Sequence, residues 1–140
     1  MKITLCSSAV FFEKLYDIKN ALENRGHQIL LPSMRNYHHL EEDALAKIQH
    51  DLIDEHFSKI GQSDALYVAN YDKNNIAGYI GGNTLLEMGI AFYRKIPILL
   101  LNPVPSQVAY RGELLALRPI ILGEDWDKLD TILKKITKIR

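Results

Sequence analysis

Glu87 follows a glycine-rich turn, Gly78-Tyr79-Ile80-Gly81-Gly82-Asn83-Thr84, and stands where an apolar helix begins. Such a turn exposes backbone N–H groups, and a helix start favours negative charge. The segment could therefore hold a small ligand beside a carboxylate. The same residues also have a purely structural reading. Thr84-x-x-Glu87 fits a capping box, in which the threonine oxygen accepts from the N–H of Glu87 and the glutamate reaches back to the N–H of Thr84. From spacing alone the cap is the stronger reading. His56 is the second candidate. It falls within an apolar helical arc of Leu45, Ile48, Leu52, His56 and Ile60, widened by Ile53 and Phe57, and so faces inward. An interior histidine hydrogen-bonded at both ring nitrogens is the structural reading; a general acid titrating close to neutral pH is the functional one.

The elements that must position these groups can be read from periodicity. Short aliphatic runs predict strands at Ile3–Cys6, Gln28–Leu31, Ala65–Ala69, Ile98–Leu101 and Pro119–Leu122. Helical spacing predicts helices from Phe12 to Leu22, from Glu41 to Ile60, from Thr84 to Tyr93 and from Trp126 to Ile136, with a short one over Glu113–Leu117. Strand and helix alternate, which is the pattern of an α/β fold: a single doubly wound five-stranded parallel sheet, Rossmann-like or flavodoxin-like, with helices on both faces and one domain over residues 1–140. Ligands of such sheets bind beyond the carboxyl ends of the strands. Three loops lie there: Ser7-Ser8-Ala9, the stretch from Ser33 to His39, and the long segment from Asn70 to Thr84. Ser7, Ser8, Asn70, Tyr79, Gly81, Gly82, Asn83 and Thr84 lie in these loops and are the candidate ligand-binding residues.

Composition narrows the partners. The 140 residues carry 17 basic and 17 acidic side chains, a formal net charge of zero. That argues against a nucleic-acid polymer or an anionic membrane selected by bulk charge, and leaves room for a small anion in a local pocket. There is one cysteine, Cys6, no apolar run long enough to span a membrane and no signal-peptide pattern, so the expected location is the cytoplasm. Familiar phosphate signatures are excluded. The first loop lacks the glycines of a dinucleotide fingerprint, Gly81-Gly82 is not followed by the lysine of a P-loop, and the first strand lacks the acidic pair of a phospho-receiver.

Two stretches carry a resemblance: Ser63-Asp64-Ala65-Leu66-Tyr67-Val68, and Gly78 through Thr84 continuing as Leu85-Leu86-Glu87-Met88-Gly89-Ile90-Ala91. Together they resemble the nucleoside 2-deoxyribosyltransferase superfamily, which includes the 2'-deoxynucleoside 5'-monophosphate N-glycosidases. The resemblance implies that Glu87 is a nucleophile attacking the anomeric carbon of a nucleoside or nucleotide, expelling the base and forming a glycosyl ester that water or a second base resolves. A carboxylate suits an oxocarbenium-like transition state. It further implies that Ser7, Ser8, Gly81, Gly82 and Asn83 line the sugar and any 5'-phosphate, that Tyr79 could stack on a base, that no cofactor or metal takes part, and that the protein is a homo-oligomer. One departure stands out. Relatives place an aspartate eight residues before the aspartate that opens the third strand; here that position is His56. The alternative is thus a nucleotide-binding or sensor module of the same fold that has lost catalysis, and a nicotinamide-dinucleotide hydrolase is a third reading that no feature selects.

The remaining polar clusters read as structural. Asp54 and Asp72 are possible substitutes for the missing carboxylate, though Asp72 sits in a polar turn, while Asp64 is expected to fix backbone at the strand start. His38-His39 beside Glu41, Glu42 and Asp43 is a poor metal set, since adjacent side chains diverge and the acids fit a helix start. His50 and Asp54 are expected to form a surface pair, Cys6 to be a small buried apolar group, and Tyr93 and Tyr110 to be exposed.

Overall fold

Alternating aliphatic and amphipathic segments build one parallel sheet sandwiched between helices. The structure, a computed structural model, describes residues 1–33 and 41–139. His38, His39 and most of the loop from Ser33 lie outside the described residues. The elements run β1 (Lys2–Cys6), a 3-10 turn (Ala9–Lys14) leading into α1 (Leu15–Glu23), β2 (Gln28–Leu30), α2 (Glu42–Gly61), β3 (Ala65–Val68), α3 (Gly82–Tyr93), β4 (Ile98–Leu100), α4 (Arg111–Ala116), β5 (Ile120–Ile121) and α5 (Trp126–Ile139). The strands are ordered β2-β1-β3-β4-β5 and every pairing is parallel. This is the doubly wound α/β arrangement expected from the alternation.

Two apolar layers hold the sheet. Ile3, Leu5 and Tyr67 on one face pack with Leu15, Ile18 and Leu22 of α1 and Leu129 and Leu133 of α5. Leu66, Val68 and Leu100 on the other face pack with Ile60 of α2, Met88 and Ala91 of α3, and Leu114 of α4. β3 is buried at every position, as a central parallel strand must be when helices cover both faces. Asp64 does what its place suggested: its carboxylate accepts the Lys2 N–H at 2.8 Å, locking β3 to β1.

The order reverses between β1 and β3, the neighbouring strands from which the chain winds outward in opposite directions. Their carboxyl ends open a crevice there. Cys6 pairs with Val68 at its floor. The loop beyond β3 is braced along its length. Asn70, buried, donates to the carbonyls of Gly78, Asn102 and Pro103 and accepts the Asn102 N–H at 2.9 Å. Asp72 accepts the Gly78 N–H at 2.8 Å. Lys73 and Ile76 bond to each other through both backbone groups, with Asn74 and Asn75 between them at φ 55° and 60°. That is a two-residue hairpin turn with both central residues left-handed, which asparagine tolerates.

Gly78 is the point where the clamp closes. It has φ +65°, and a Cβ there would lie 2.6 Å from the Pro103 carbonyl oxygen. Gly78→Ala is expected to destabilise the protein by roughly 1–3 kcal/mol, read as a lowered melting temperature in scanning calorimetry. An unchanged melting temperature would show that the loop is not clamped at this residue.

Candidate functional site

A cavity of about 580 Å³ opens over the β1–β3 crevice, within the range of roughly 300–1,000 Å³ typical of small-molecule sites. Ser7 and Ser8 form one wall, the turn and first residues of α3 a second, and the middle of α2 a third. Of the expected residues, Glu87, His56, Ser7, Ser8, Tyr79, Gly81, Gly82, Asn83 and Thr84 all line it.

Asn70 does not. Its amide is spent on the loop and the β4 extension, so the expectation that it binds substrate is corrected to a bracing role. Asp72 is likewise occupied with the Gly78 N–H, and neither it nor Asp54 lines the cavity.

The register of α3 decides what Glu87 can do. The capping box required a helix beginning after Thr84. Instead the N-cap is Gly81, whose carbonyl accepts the Leu85 N–H at 2.9 Å, and no side chain caps the helix. Thr84 is already inside the first turn and buried. Gly81 and Gly82 can start the helix early because their backbone is unhindered and the chain arrives extended, with Gly81 at ψ 179°. Glu87 is therefore in the second turn, too far along to reach back to a free N–H, and its carboxylate enters the cavity.

There it meets His56. The His56 Nε2 lies 3.6 Å from Glu87 Oε2, with side-chain exposures of 7% and 17%. Neither ring nitrogen of His56 nor that glutamate oxygen has a hydrogen-bond partner in the protein. The reading of His56 as an interior histidine bonded at both nitrogens is thereby corrected. Leaving such groups unbonded inside a protein costs about 1–3 kcal/mol each, and they are concentrated at one place.

Three contributions were not visible in the sequence. Cys6, expected to be inert apolar filling, is buried as foreseen but carries its thiol to the Glu87 carboxylate. Burial first, then the charge and hydrogen-bond acceptance of Glu87, push the thiol well above its usual pKa, so it stays a neutral S–H donor. Lys73 reaches from its hairpin into the cavity, donating to Ser8 Oγ at 2.8 Å with its ammonium 5.2 Å from the Tyr79 ring centre. Finally, Leu52, Ile53 and Phe57 of the α2 arc are cavity wall, while only His56 and Ile60 of α2 are buried. An apolar stripe looks the same in sequence whether it meets a core or a cleft.

Other expectations resolve simply. Tyr93 is exposed, whereas Tyr110 is half-buried, and its hydroxyl donates to the Ile80 carbonyl, which steadies the turn before α3. Burial and the neighbouring Tyr79 raise the Tyr110 pKa. His50 sits 3.4 Å from Asp51 rather than pairing with Asp54. Among the described residues no group of three potential ligands could hold a metal, and no helix is long and apolar enough to cross a membrane.

Comparison with solved structures places this architecture. The chain superposes on the CMP N-glycosidase of Clostridium botulinum with a TM-score of 0.52 and 18% identity, covering 94% of this chain and 99% of that one. The two share a fold. Looser matches are a 2-deoxyribosyltransferase from Bacillus psychrosaccharolyticus (TM-score 0.46, 18% identity, 86% and 98% coverage) and a conserved protein from Enterococcus faecalis V583 (0.49, 15%, 100% and 99%). No family model and no curated protein matches the sequence.

The Cys6 environment makes a direct prediction. A thiol that is buried, neutral and beside a carboxylate is a poor nucleophile. Cys6 is expected to resist iodoacetamide at pH 8 in the folded protein and to be labelled stoichiometrically after denaturation in guanidinium, as followed by intact-mass spectrometry. Prompt labelling of the folded protein would contradict this placement.

Proposed function

We propose that the protein breaks or exchanges the N-glycosidic bond of a nucleoside or nucleotide, with Glu87 as nucleophile and His56 as general acid and base. One observation carries the reading: the Glu87 carboxylate and the His56 imidazole face each other inside a ligand-sized cleft with bonding capacity unspent. The fold shared with an N-glycosidase is consistent with it.

The chemistry follows from the groups present. A glutamate oxygen attacks C1' as the C1'–N bond breaks, and the electron pair of that bond leaves on the base nitrogen. Protonated His56 supplies the proton that the departing base needs. The developing positive charge on the sugar is stabilised by the carboxylate, more strongly in a cleft than in water. The resulting glycosyl ester is resolved when neutral His56 takes a proton from water, or when a second base attacks C1' and regenerates the carboxylate. A histidine can serve where an aspartate would, because the role is proton transfer to nitrogen and an imidazole nitrogen can both give and take a proton. Ser7, Ser8 and the backbone at Gly81, Gly82 and Asn83 bind the sugar side, and Tyr79 offers a ring face to the base.

Glu87→Gln separates this reading from a structural one. It is expected to reduce base release from nucleosides or nucleotides by at least about a thousandfold without lowering the melting temperature. A lost cap would instead cost roughly 0.5–2 kcal/mol. His56→Asn is expected to slow release by about a hundredfold or more, with a smaller loss on substrates whose base leaves easily. Wild-type protein that binds nucleotides but releases no base from a broad panel would identify a binding module instead.

The same reading includes a second copy of the chain. Leu86 and Tyr93 are exposed at 53% and 79% on α3, and Leu86 borders the mouth of the cleft. A homo-oligomer covering this face would close the cavity. Sedimentation is expected to report a dimer or larger at micromolar concentration; a monomer would remove this part of the proposal.

A further inference from the structure

Glu87 and His56 face each other, but the two helices that carry them are held by unequal means. In α3 the residue after Glu87 is Met88, fully buried, and Ala91 follows it into the same apolar layer. In α2, which has 20 residues, only His56 and Ile60 are buried. Leu52 and Ile53 line the cavity instead of filling a core. Apolar packing thus gives the His56 helix one deep anchor, Ile60. The rest of its hold on the sheet is polar, and among the described residues it gathers at Lys59.

Lys59 is tied at both ends. Its backbone carbonyl lies in the last turn of α2, where helical partners run out. That carbonyl accepts from the Gln62 N–H at 3.2 Å and from the Ser63 hydroxyl at 2.9 Å. Thr4 Oγ1 lies 2.6 Å from Ser63 Oγ and 3.3 Å from the carbonyl, so two buried hydroxyls close on it together. Thr4 stands in β1 two residues before Cys6 and on the same face of the sheet. The carbonyl is therefore set against the strand that floors the cleft. At the other end, the ammonium donates to the Leu31 carbonyl at 2.9 Å and to Ser33 Oγ at 3.1 Å, and lies 3.3 Å from Glu55 Oε1. Ser33 in turn donates to Glu55. Three protons meet three acceptors just beyond β2.

Stability alone does not call for the Thr4–Ser63 pair, since replacing both partners of a buried hydrogen bond by apolar groups of like shape is nearly neutral. What the hydroxyls add is direction. A hydrogen bond holds its atoms within a narrow range of distance and angle, whereas apolar contact is non-directional. Lys59 is three residues beyond His56, about 4.5 Å along the helix axis, so a shift at one is a shift at the other. Displacing a catalytic group by about 1 Å can cost about a hundredfold in rate. We propose that Lys59 is a positioning residue: pinned at its carbonyl by Thr4 and Ser63 and at its ammonium by the end of β2, it fixes α2 over the sheet and holds the His56 imidazole against Glu87. This rests on the glycosidase reading for its effect on rate, but not for the placement of His56.

The test uses the full-length protein in two arms. In steady-state base release, Lys59→Met, which keeps the stem, is expected to lower kcat by about tenfold or more with KM within about twofold. The loss is expected to be smaller on substrates whose base leaves easily, as for His56→Asn, and to vanish when His56→Asn is already present. Lys59→Arg, which can reach the same acceptors, is expected to recover most of the rate. Thr4→Val combined with Ser63→Ala frees the other end. It is expected to reproduce the Lys59→Met losses at a nearly unchanged melting temperature, and it carries the test should Lys59→Met fold poorly. The second arm needs no turnover. Glu87→Gln is expected to displace the His56 ring resonances in NMR spectra, and to displace them much less when combined with Lys59→Met. The exposed ring of His50 serves as an unmoved reference. An unchanged kcat in the folded variants, a loss that adds in full to that of His56→Asn, or His56 resonances that respond to Glu87→Gln as before overturns the assignment. If the wild type releases no base while the resonances behave as expected, the glycosidase reading falls and the positioning of His56 stands. Base release through Glu87 that Lys59→Met leaves intact does the reverse.

Discussion

Two nitrogens of one imidazole and an oxygen of one carboxylate, all shielded by the protein and all without a partner in it, meet at the base of a single cleft. A folded chain normally satisfies such groups, because each one left unbonded forfeits about 1–3 kcal/mol. Departures from this rule tend to occur where a protein keeps bonding capacity for something other than itself. Among the described residues the departure falls on Glu87 and His56, and the surrounding structure is arranged to sustain it. Apolar layers on both faces of the sheet hold α2 and α3 in place. The two side chains are consequently kept together by elements that owe their positions to the core and not to each other.

The neighbourhood of the pair is built with similar economy. Cys6 contributes a neutral donor to the carboxylate from the end of β1, where a larger side chain would meet Val68 and the cluster around Met88. The loop after β3 carries many polar residues but turns few of them to the cleft. Asn70, Asp72, Asn74 and Asn75 hold its shape, while Lys73 and Tyr79 face the cavity. Beyond β2, Lys59 of α2 donates to the Leu31 carbonyl at 2.9 Å and to Ser33 Oγ at 3.1 Å, tying the α2 wall to the sheet. A rigid frame of this sort lets two or three groups stay under-bonded without the site collapsing.

Much of this was legible in the residues. The five strands and the helices fall close to where aliphatic runs and 3.6-residue spacing placed them, since both patterns report local burial. The loops that line the cleft were identified from the general rule for parallel sheets. What misled was also local. Thr84 and Glu87 have the spacing of a cap, but the helix begins at Gly82, a choice that two flexible glycines leave to the surrounding packing. Asn70 has the look of a ligand-binding amide at a strand end, and its amide is instead consumed by Asn102 and Pro103.

The amino-acid order alone determined the α/β class, the parallel sheet and the stretch of chain in which a carboxylate would matter, because periodicity, glycine placement and strand-end loops are short-range properties. Tertiary structure decided which polar groups were already spent. His56 and Glu87 come from different helices, and Lys73 finds Ser8 across 65 positions of sequence. Those encounters depend on how the crossovers bring β1 and β3 side by side, and on which donors and acceptors each fold contact uses up. Hydrogen-bond capacity is a property of the assembled whole, so the unspent remainder at this cleft could be found only after every other bond had been made.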